Sequence, residues 1–380
     1  MDDYEKLRLL TSQMHLEPAE DTTCIQLSSR KQDKIHVSDA VLPNGKRISL
    51  LKSQLSTVCE RNCYYCPFRS GRDFQRATFG PEEFAKVFMS LYHAKIAEGI
   101  FLSSGIVNHG AFTQDKLIDT ADILRHKFHY RGYIHLKIMP GAEFDQVERA
   151  MQLADRVSIN LEAPTTERLG KLAPRKQFVE ELLQPLKWIN QIRLTQPSYK
   201  GWNAHWPSSV TQFVISAVGE TDLELLATTE YLYSQLKLKR AYFSSFNPID
   251  NTPLENLPPG DPTREHRLYE ASFLLRDYGF SLEEMPFNYE GHLPLNVDPK
   301  YAWAQVNLAG HPIEINHAEK QELLRVPGIG PKSVKAILAA RIKNKLSHSA
   351  QLQAAGVNLK RAAPFILING KRAEFQTTFL

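Results

Sequence analysis

Residues 57–68 read TVCERNCYYCPF and hold three of the chain's four cysteines, Cys59, Cys63 and Cys66, spaced C-x3-C-x2-C. Three is an odd number and the loop is short, so paired disulfides do not account for it. Zinc usually takes four ligands in tetrahedral geometry. A fourth would have to come from Cys24 or a distant histidine such as His36, and no partner CxxC knuckle exists. An iron–sulfur cube takes one thiolate per iron. Three cysteines then leave one iron open to a further ligand. The cube is the favoured reading and zinc the alternative.

Outward from that loop, the chain alternates apolar runs with helical patterns from residue 47 to about 285, the signature of βα units and a parallel sheet. Six strands are expected: RISLLKSQ (47–54), GIFLSSGI (99–106), GYIHLKIMPG (132–141), RVSINLEAP (156–164), VTQFVISAVGE (210–220) and RAYFSSFNP (240–248). A helix opening at Pro81 and Glu82 precedes the second. Period-two alternation puts Ile134, Leu136 and Ile138 on one face and Tyr133, His135 and Lys137 on the other. In the next strand Val157, Ile159 and Leu161 oppose Ser158, Asn160 and Glu162. Apolar faces should meet outer helices and polar faces the interior. A polar interior needs partners, which suggests a bound polar ligand; the alternative is the solvent side of a poorly covered sheet.

The chain has 380 residues, 42% of them hydrophobic, with a formal net charge of +4. That balance is mildly basic, so any nucleic-acid surface must be local. The N-terminal MDDYEKLRLLTSQMHL carries acids and no apolar run of signal-peptide length, and no segment suits a membrane span. A cytoplasmic protein without membrane contact is expected.

C-x3-C-x2-C with an aromatic, Tyr65, before the last cysteine resembles the signature of the radical S-adenosylmethionine (SAM) enzymes. The resemblance implies a partial (β/α)6 barrel and a [4Fe-4S] cluster on Cys59, Cys63 and Cys66. It also implies SAM chelating the open iron, and an external one-electron reductant. The products are methionine and a 5′-deoxyadenosyl radical that abstracts hydrogen from a substrate. Carried over residue by residue, Tyr65 belongs to the cofactor site. Ser103, Ser104 and Gly105 stand where the family often has a Gly-Gly-Glu turn contacting the methionine amino group. Here serine replaces glycine and the acid is absent. Asn160 and Glu162 match residues that bind the SAM ribose and carboxylate, and Ala217–Glu220 a loop touching adenine. Lys137 would pair with the SAM carboxylate or a substrate phosphate, or else form a buried structural ion pair. Cys24 would donate a hydrogen atom to a product radical, or else serve as a small buried hydrophobe.

After residue 285 the pattern changes. MPFNYEGHLPLNVDPK reads as a connector. IEINHAEKQELLRVPGIGPKSVKAILAARI (313–342) is a helix-hairpin-helix pattern and resembles the competence-protein type. Asn316 is the expected cap of its first helix, with Glu319 completing a capping box. Pro331 should open the second helix, burying Val334, Ile337, Leu338 and Ile342. Gly328 and Gly330 free the backbone at a helix N-terminus, with Lys332 and Ser333 beside it: a phosphate seat without base preference. Between 313 and 346 seven Lys and Arg face three Glu. Residues 352–366 read as a degenerate second half.

The expected organisation is an N-terminal extension (1–46), a barrel (47–285), a linker (286–312) and a small all-α helix-hairpin-helix module (313–380). The pairing of barrel and hairpin resembles the family of radical SAM proteins assigned to DNA modification or repair, whose reaction is unassigned. That resemblance implies DNA as partner, with RNA as an alternative and a uracil-DNA-glycosylase-like protein as a further partner. Tyr64, Trp202 and Trp206 are aromatics that could stack on a base. A third reading is a non-enzymatic iron–sulfur nucleic-acid-binding protein. With Cys24 the only cysteine outside the motif, an all-cysteine second cluster cannot be built, which argues against sulfur insertion.

Overall fold

Leu51, Ile100 and Ile134 are wholly buried and lie in register across three strands, which is how the core of a parallel sheet is built. The computed structural model describes residues 1–17, 35, 37–42 and 45–373; Cys24 and His36 lie outside the described residues. The chain forms two compact units, residues 1–220 with 232–260, and residues 221–231 with 261–380.

In the first unit helix α1 (Asp3–Thr11) is followed by β1 (Val37–Val41), β2 (Arg47–Gln54), α2 (Pro81–His93), β3 (Gly99–Ser103), α3 (Gly110–Asp122), β4 (Tyr133–Lys137), α4 (Phe144–Leu153), β5 (Arg156–Ser158), α5 (Thr166–Leu172), α6 (Gln184–Thr195) and β6 (Ser208–Ile215). Helix α7 (Asp222–Gln235) then leads into β7 (Arg240–Ser245). The strand order is β1 to β7 in sequence, β2 to β7 all parallel, in an open curled sheet. The six expected strands are present, most of them shorter at the carboxyl end, where the chain leaves the sheet to form loops. β1 was not expected. It pairs antiparallel with β2 at the sheet edge, so part of the expected N-terminal extension belongs to the sheet.

Both faces of the sheet are covered, against the alternative of an exposed polar side. Helices α2, α4 and α6 bury Phe84, Phe88, Val147, Met151, Ile189 and Ile192 outside it. Inside, Met14 packs with Ile48, Leu50, Phe101 and Tyr133. Residues beyond Met14 continue into the interior: Gln212 Nε2 donates to the Leu16 carbonyl at 3.5 Å, Lys52 Nζ to the Glu17 carbonyl, and Lys137 Nζ to the Glu17 carboxylate. Three interior polar side chains, among them Lys137, which was expected to face a ligand, are thus partnered by residues 16 and 17. Burying them otherwise would cost several kcal/mol in unmet hydrogen bonds, about 2–7 each on transfer scales.

The second unit contains α8 (Pro262–Asp277), α9 (Pro299–Asn307), β8 (Ile313–Glu314), α10 (Lys320–Arg325), α11 (Pro331–Lys343), α12 (Ser349–Ala354), α13 (Leu359–Ala362), β9 (Ile366–Ile368) and β10 (Lys371–Arg372). Its core includes Ile315, Leu323, Val326, Ile329, Val334, Ile337, Leu352, Val357 and Phe365. The unit takes in part of α7 and runs on from α8, starting earlier than the expected module, and α9 lies in the expected linker. The module is not all-α, because β8, β9 and β10 form a small sheet.

Candidate functional site

The cysteine loop is closed at its neck by the segment that follows it, through an isolated bridge between Ser56 and Thr78. Thr57 N donates to Ala77 O at 3.0 Å, Ala77 N to Thr57 Oγ1 at 2.9 Å, and Phe79 N to Leu55 O at 2.9 Å. On its other flank the loop meets the turn after β3. Gly105 N donates to Ser56 O at 2.7 Å and Ile106 N to Cys59 Sγ at 3.4 Å. A Cβ on Gly105 would stand 2.2 Å from Val58 O, so only glycine lets the two backbones approach.

These contacts bring Cys59, Cys63 and Cys66 to one end of the sheet, beside a cleft of about 900 Å³ at the carboxyl ends of the strands. Tyr65, Ser103, Ser104, Gly105, Lys137, Asn160 and Glu162, seven of the cofactor residues expected from the sequence, line the same cleft. Ala217–Glu220 do not line it. The Glu220 carboxylate instead accepts from Ser216 N at 2.5 Å and Val218 N at 3.3 Å, stiffening its own loop. Trp202 and Trp206 lie at the opposite, amino end of β6: Trp202 stacks against Arg125 at 3.8 Å and Trp206 Nε1 donates to Gln196 O at 3.2 Å. They are structural there, away from the cleft.

Several lining residues were not foreseen. Gln54 and Gln212 come from β2 and β6, and Asn160 Nδ2 donates to Gln212 Oε1 at 3.2 Å. Lys176 follows α5, and its ammonium stands 2.8 Å from Glu162 Oε1 with both side chains almost wholly buried. Glu162 has φ of +65°, uncommon for a glutamate. Its backbone is held there by Gln212 O at 3.0 Å and Val214 N at 2.8 Å. The kink aims its carboxylate at Lys176.

Burial pushes the Glu162 carboxyl up, but Lys176 and Lys137, with hydrogen bonds from Lys176 and Tyr65, outweigh it and hold it below the usual carboxylate range. Burial pulls the Lys176 ammonium down, but Cys63 and Glu162 push it further the other way, so it stays charged. Burial also raises the Cys63 and Cys66 thiols. Bound iron reverses this, since coordinated thiols lose their protons.

The donor set fits a cube rather than a single ion. Among the described residues no three His, Cys, Asp or Glu side chains converge on one metal position. Three free thiols spread around a cavity are what a cluster with one thiolate per iron requires. Gln54 Oε1, buried in the same cleft, has no hydrogen-bond partner among the described residues and leaves an acceptor for a polar ligand.

The family model of the Radical SAM superfamily matches residues 53–198, a span that holds the three thiols, β3 to β5 and the Glu162–Lys176 pair. The chain carries a radical SAM domain. A domain of that family is one that uses a [4Fe-4S] cluster and SAM as cofactors. Among solved structures, methylornithine synthase PylB is similar at 16% identity and a TM-score of 0.47, over 60% of this chain and 61% of that one. The FeFe-hydrogenase maturase HydG from Carboxydothermus hydrogenoformans is similar at 16% identity and 0.45, over 60% and 51%. The chain thus spans under two thirds of either protein's length. No curated protein matches. Among the described residues no helix is long and apolar enough to cross a membrane.

In the second unit Gly328 has φ of +81°, and a Cβ there would stand 2.4 Å from Asn358 O. Gly330 caps α11 in an extended conformation open to other residues, with Pro331 in the first turn. α10 is capped by Glu319, whose N–H donates to Glu322 at 2.7 Å, three residues later than the expected cap at Asn316. Asn316 instead brackets Leu346, accepting from its N–H at 2.9 Å and donating to its carbonyl at 2.8 Å. Ile342, expected in the core, is 88% exposed because its helix end projects beyond the packed face. Ser333 is buried and donates to Gly356 O at 2.7 Å, so its hydroxyl is committed within the fold. Arg325 and Arg341 are likewise held by carbonyls, of Tyr278 and Gly279 and of Ile315 and Ala318. Lys320, Lys332, Lys335, Lys343 and Lys345 remain exposed.

Proposed function

We propose that this protein is a radical SAM enzyme that acts on DNA, repairing or modifying a nucleotide. The observation that carries the reading is the α10–α11 hairpin. Its Gly328 turn, free α11 N-terminus and exposed Lys332 and Lys335 suit a phosphate backbone. Such a seat gives affinity without base preference. The substrate nucleotide would be single-stranded or flipped out of the duplex.

In the cleft, Cys59, Cys63 and Cys66 would hold the cluster. Ser103–Gly105, Asn160, Glu162 and Lys176 would hold SAM against it. When bound, this pair of cofactors supplies a one-electron reductive cleavage of SAM to methionine and a 5′-deoxyadenosyl radical. The electron comes from an external reductant. Glu162 stays ionised and can accept from ribose hydroxyls, while Lys176 keeps it in place. Cys24 as hydrogen-atom donor and a uracil-DNA-glycosylase-like partner are parts of the proposal that rest on sequence alone.

The test is anaerobic reconstitution, reduction and mass spectrometry of 5′-deoxyadenosine, with single-stranded DNA, duplex DNA or RNA added, and Cys63→Ala as control. DNA raising the yield supports the reading; RNA alone doing so favours an RNA substrate; no cleavage from a fully loaded cluster leaves a cluster-carrying binding protein. Lys332→Ala should weaken DNA binding uniformly across sequences and lower the salt slope by about 1.

A further inference from the structure

Arg76 lies outside the cysteine motif, ten residues beyond Cys66, yet its guanidinium reaches both ends of the loop. It donates to Thr57 O at the entry, to Phe68 O at 2.8 Å and Arg69 O at 2.8 Å past the last cysteine, and to Arg72 O at 3.1 Å. The ring of Phe74 packs 3.9 Å from its centre. Four carbonyls around one planar fork is an arrangement that lysine's single ammonium cannot reproduce.

Among the described residues the charge of Arg76 has no carboxylate beside it: no Asp or Glu pairs with it, whereas the neighbouring Arg61 pairs with Glu181 at 2.6 Å. The groups that interact with it electrostatically are Cys59 and Cys66, opposed by Arg72. A half-buried cation is costly to hold this way unless anions complete its surroundings. Iron-bound thiolates are the anions within reach.

We propose that Arg76 is a positioning residue of the cluster site: it holds the cysteine loop closed before iron arrives and biases the bound cluster toward its reduced form. The bias follows from sign. Reduction adds one negative charge to the cluster, and a fixed cation nearby favours that state, as local charge and hydrogen bonds set cluster potentials. The inference rests on the cluster reading of the three thiols and not on DNA as substrate.

The experiment compares wild type, Arg76→Gln and Arg76→Lys. Each is reconstituted anaerobically with iron and sulfide, assayed for iron per chain and loading rate, then titrated with dithionite under electron paramagnetic resonance. Arg76→Gln should load slowly, and its reduced-to-oxidised ratio at a fixed solution potential should fall about tenfold, equivalent to about 59 mV for one electron. Arg76→Lys keeps the charge and loses the fork, so it should load slowly and retain the wild-type ratio within about twofold. A purely structural residue would change loading and leave the ratio alone; that result overturns the electrostatic half. If Arg76→Gln does not fold, Arg76→Lys decides, and wild-type loading by it overturns the positioning half. A wild type that takes up no cluster sinks the cluster reading and this inference together.

Discussion

Replacing Lys176 by Met should cost the first unit about 3 kcal/mol, the low end of what breaking a buried ion pair usually costs, about 3–5 kcal/mol. The side chains of Lys176 and Glu162 are 10% and 4% exposed, so water cannot repair the loss. The low end applies because Lys137 and Tyr65 still face the abandoned carboxylate. Glu162→Gln alone should cost about 2 kcal/mol, leaving an ammonium beside neutral thiols, by the same desolvation argument. The double variant leaves no buried charge at the pair, and should cost at least about 2 kcal/mol less than the sum of the single changes. Urea unfolding of the cluster-free protein measures this through Trp188, Trp202 and Trp206, which all lie in the first unit. The pH dependence has a defined sign. Glu162 is lowered in the fold, so its contribution is complete above the ordinary carboxylate range and fades as pH falls through its folded value. Lys176→Met should flatten that acid limb. Additive single and double costs, or a Lys176→Met cost below about 1 kcal/mol, would refute the reasoning, since distant, uncoupled sites add.

Gly328→Ala should destabilise the second unit by about 2 kcal/mol or more, from the left-handed backbone penalty of about 1–2 kcal/mol and from overlap with Asn358 O at 2.4 Å. Hydrogen exchange over residues 313–373 of the full chain reads it, and unchanged protection there would contradict the turn geometry. Lys300, buried against Tyr278 with its Nζ 2.6 Å from Ile329 O, is pulled down to about 7 by burial, with Arg361 and Arg325 adding and Asp298 opposing. From about pH 7 to 10 the unfolded chain binds the extra proton, so the second unit should gain stability with rising pH, by at most about 1.4 kcal/mol per unit. Lys300→Met should remove that slope, as followed by Trp303 fluorescence in urea.

The cysteine loop and the six parallel strands were legible because both signals are local: a fixed spacing in one case, and apolar runs separated by helical patterns in the other. The residues that complete the site were not, because their roles depend on long-range folding. Lys176 is an ordinary loop lysine in sequence, and only the kink at Glu162 makes it a partner. Arg76 reads as one of many surface arginines until the loop closes around it. β1 had a missed local cue, Asn44-Gly45 between VSDAV and RISLL, the strongest short hairpin signal. In the second unit VPGIGPKS does fall at a turn between two helices, α10 and α11, but counting charge overstated the exposed basic face there. Arg325, Arg341 and Ser333 look like phosphate ligands in a one-dimensional count and are spent on carbonyls in three dimensions.

The grip of the half-barrel on Leu16 and Glu17 has a temporal side. Glu17 meets Lys137 across 120 positions of chain, and Leu16 meets Gln212 across 196. During synthesis the chain's first turns therefore emerge long before the strands that will hold them, at ribosomal rates by about ten seconds or more. Met14 meets Ile48 and Leu50 sooner, but its apolar cluster is complete only once Phe101 and Tyr133 have been made. The interior of the sheet must close around a segment already made, so the docking of residues 14–17 comes late and its loop-closure entropy slows it. Folding rate, more than final stability, is where substitutions at Lys52 and Gln212 should register.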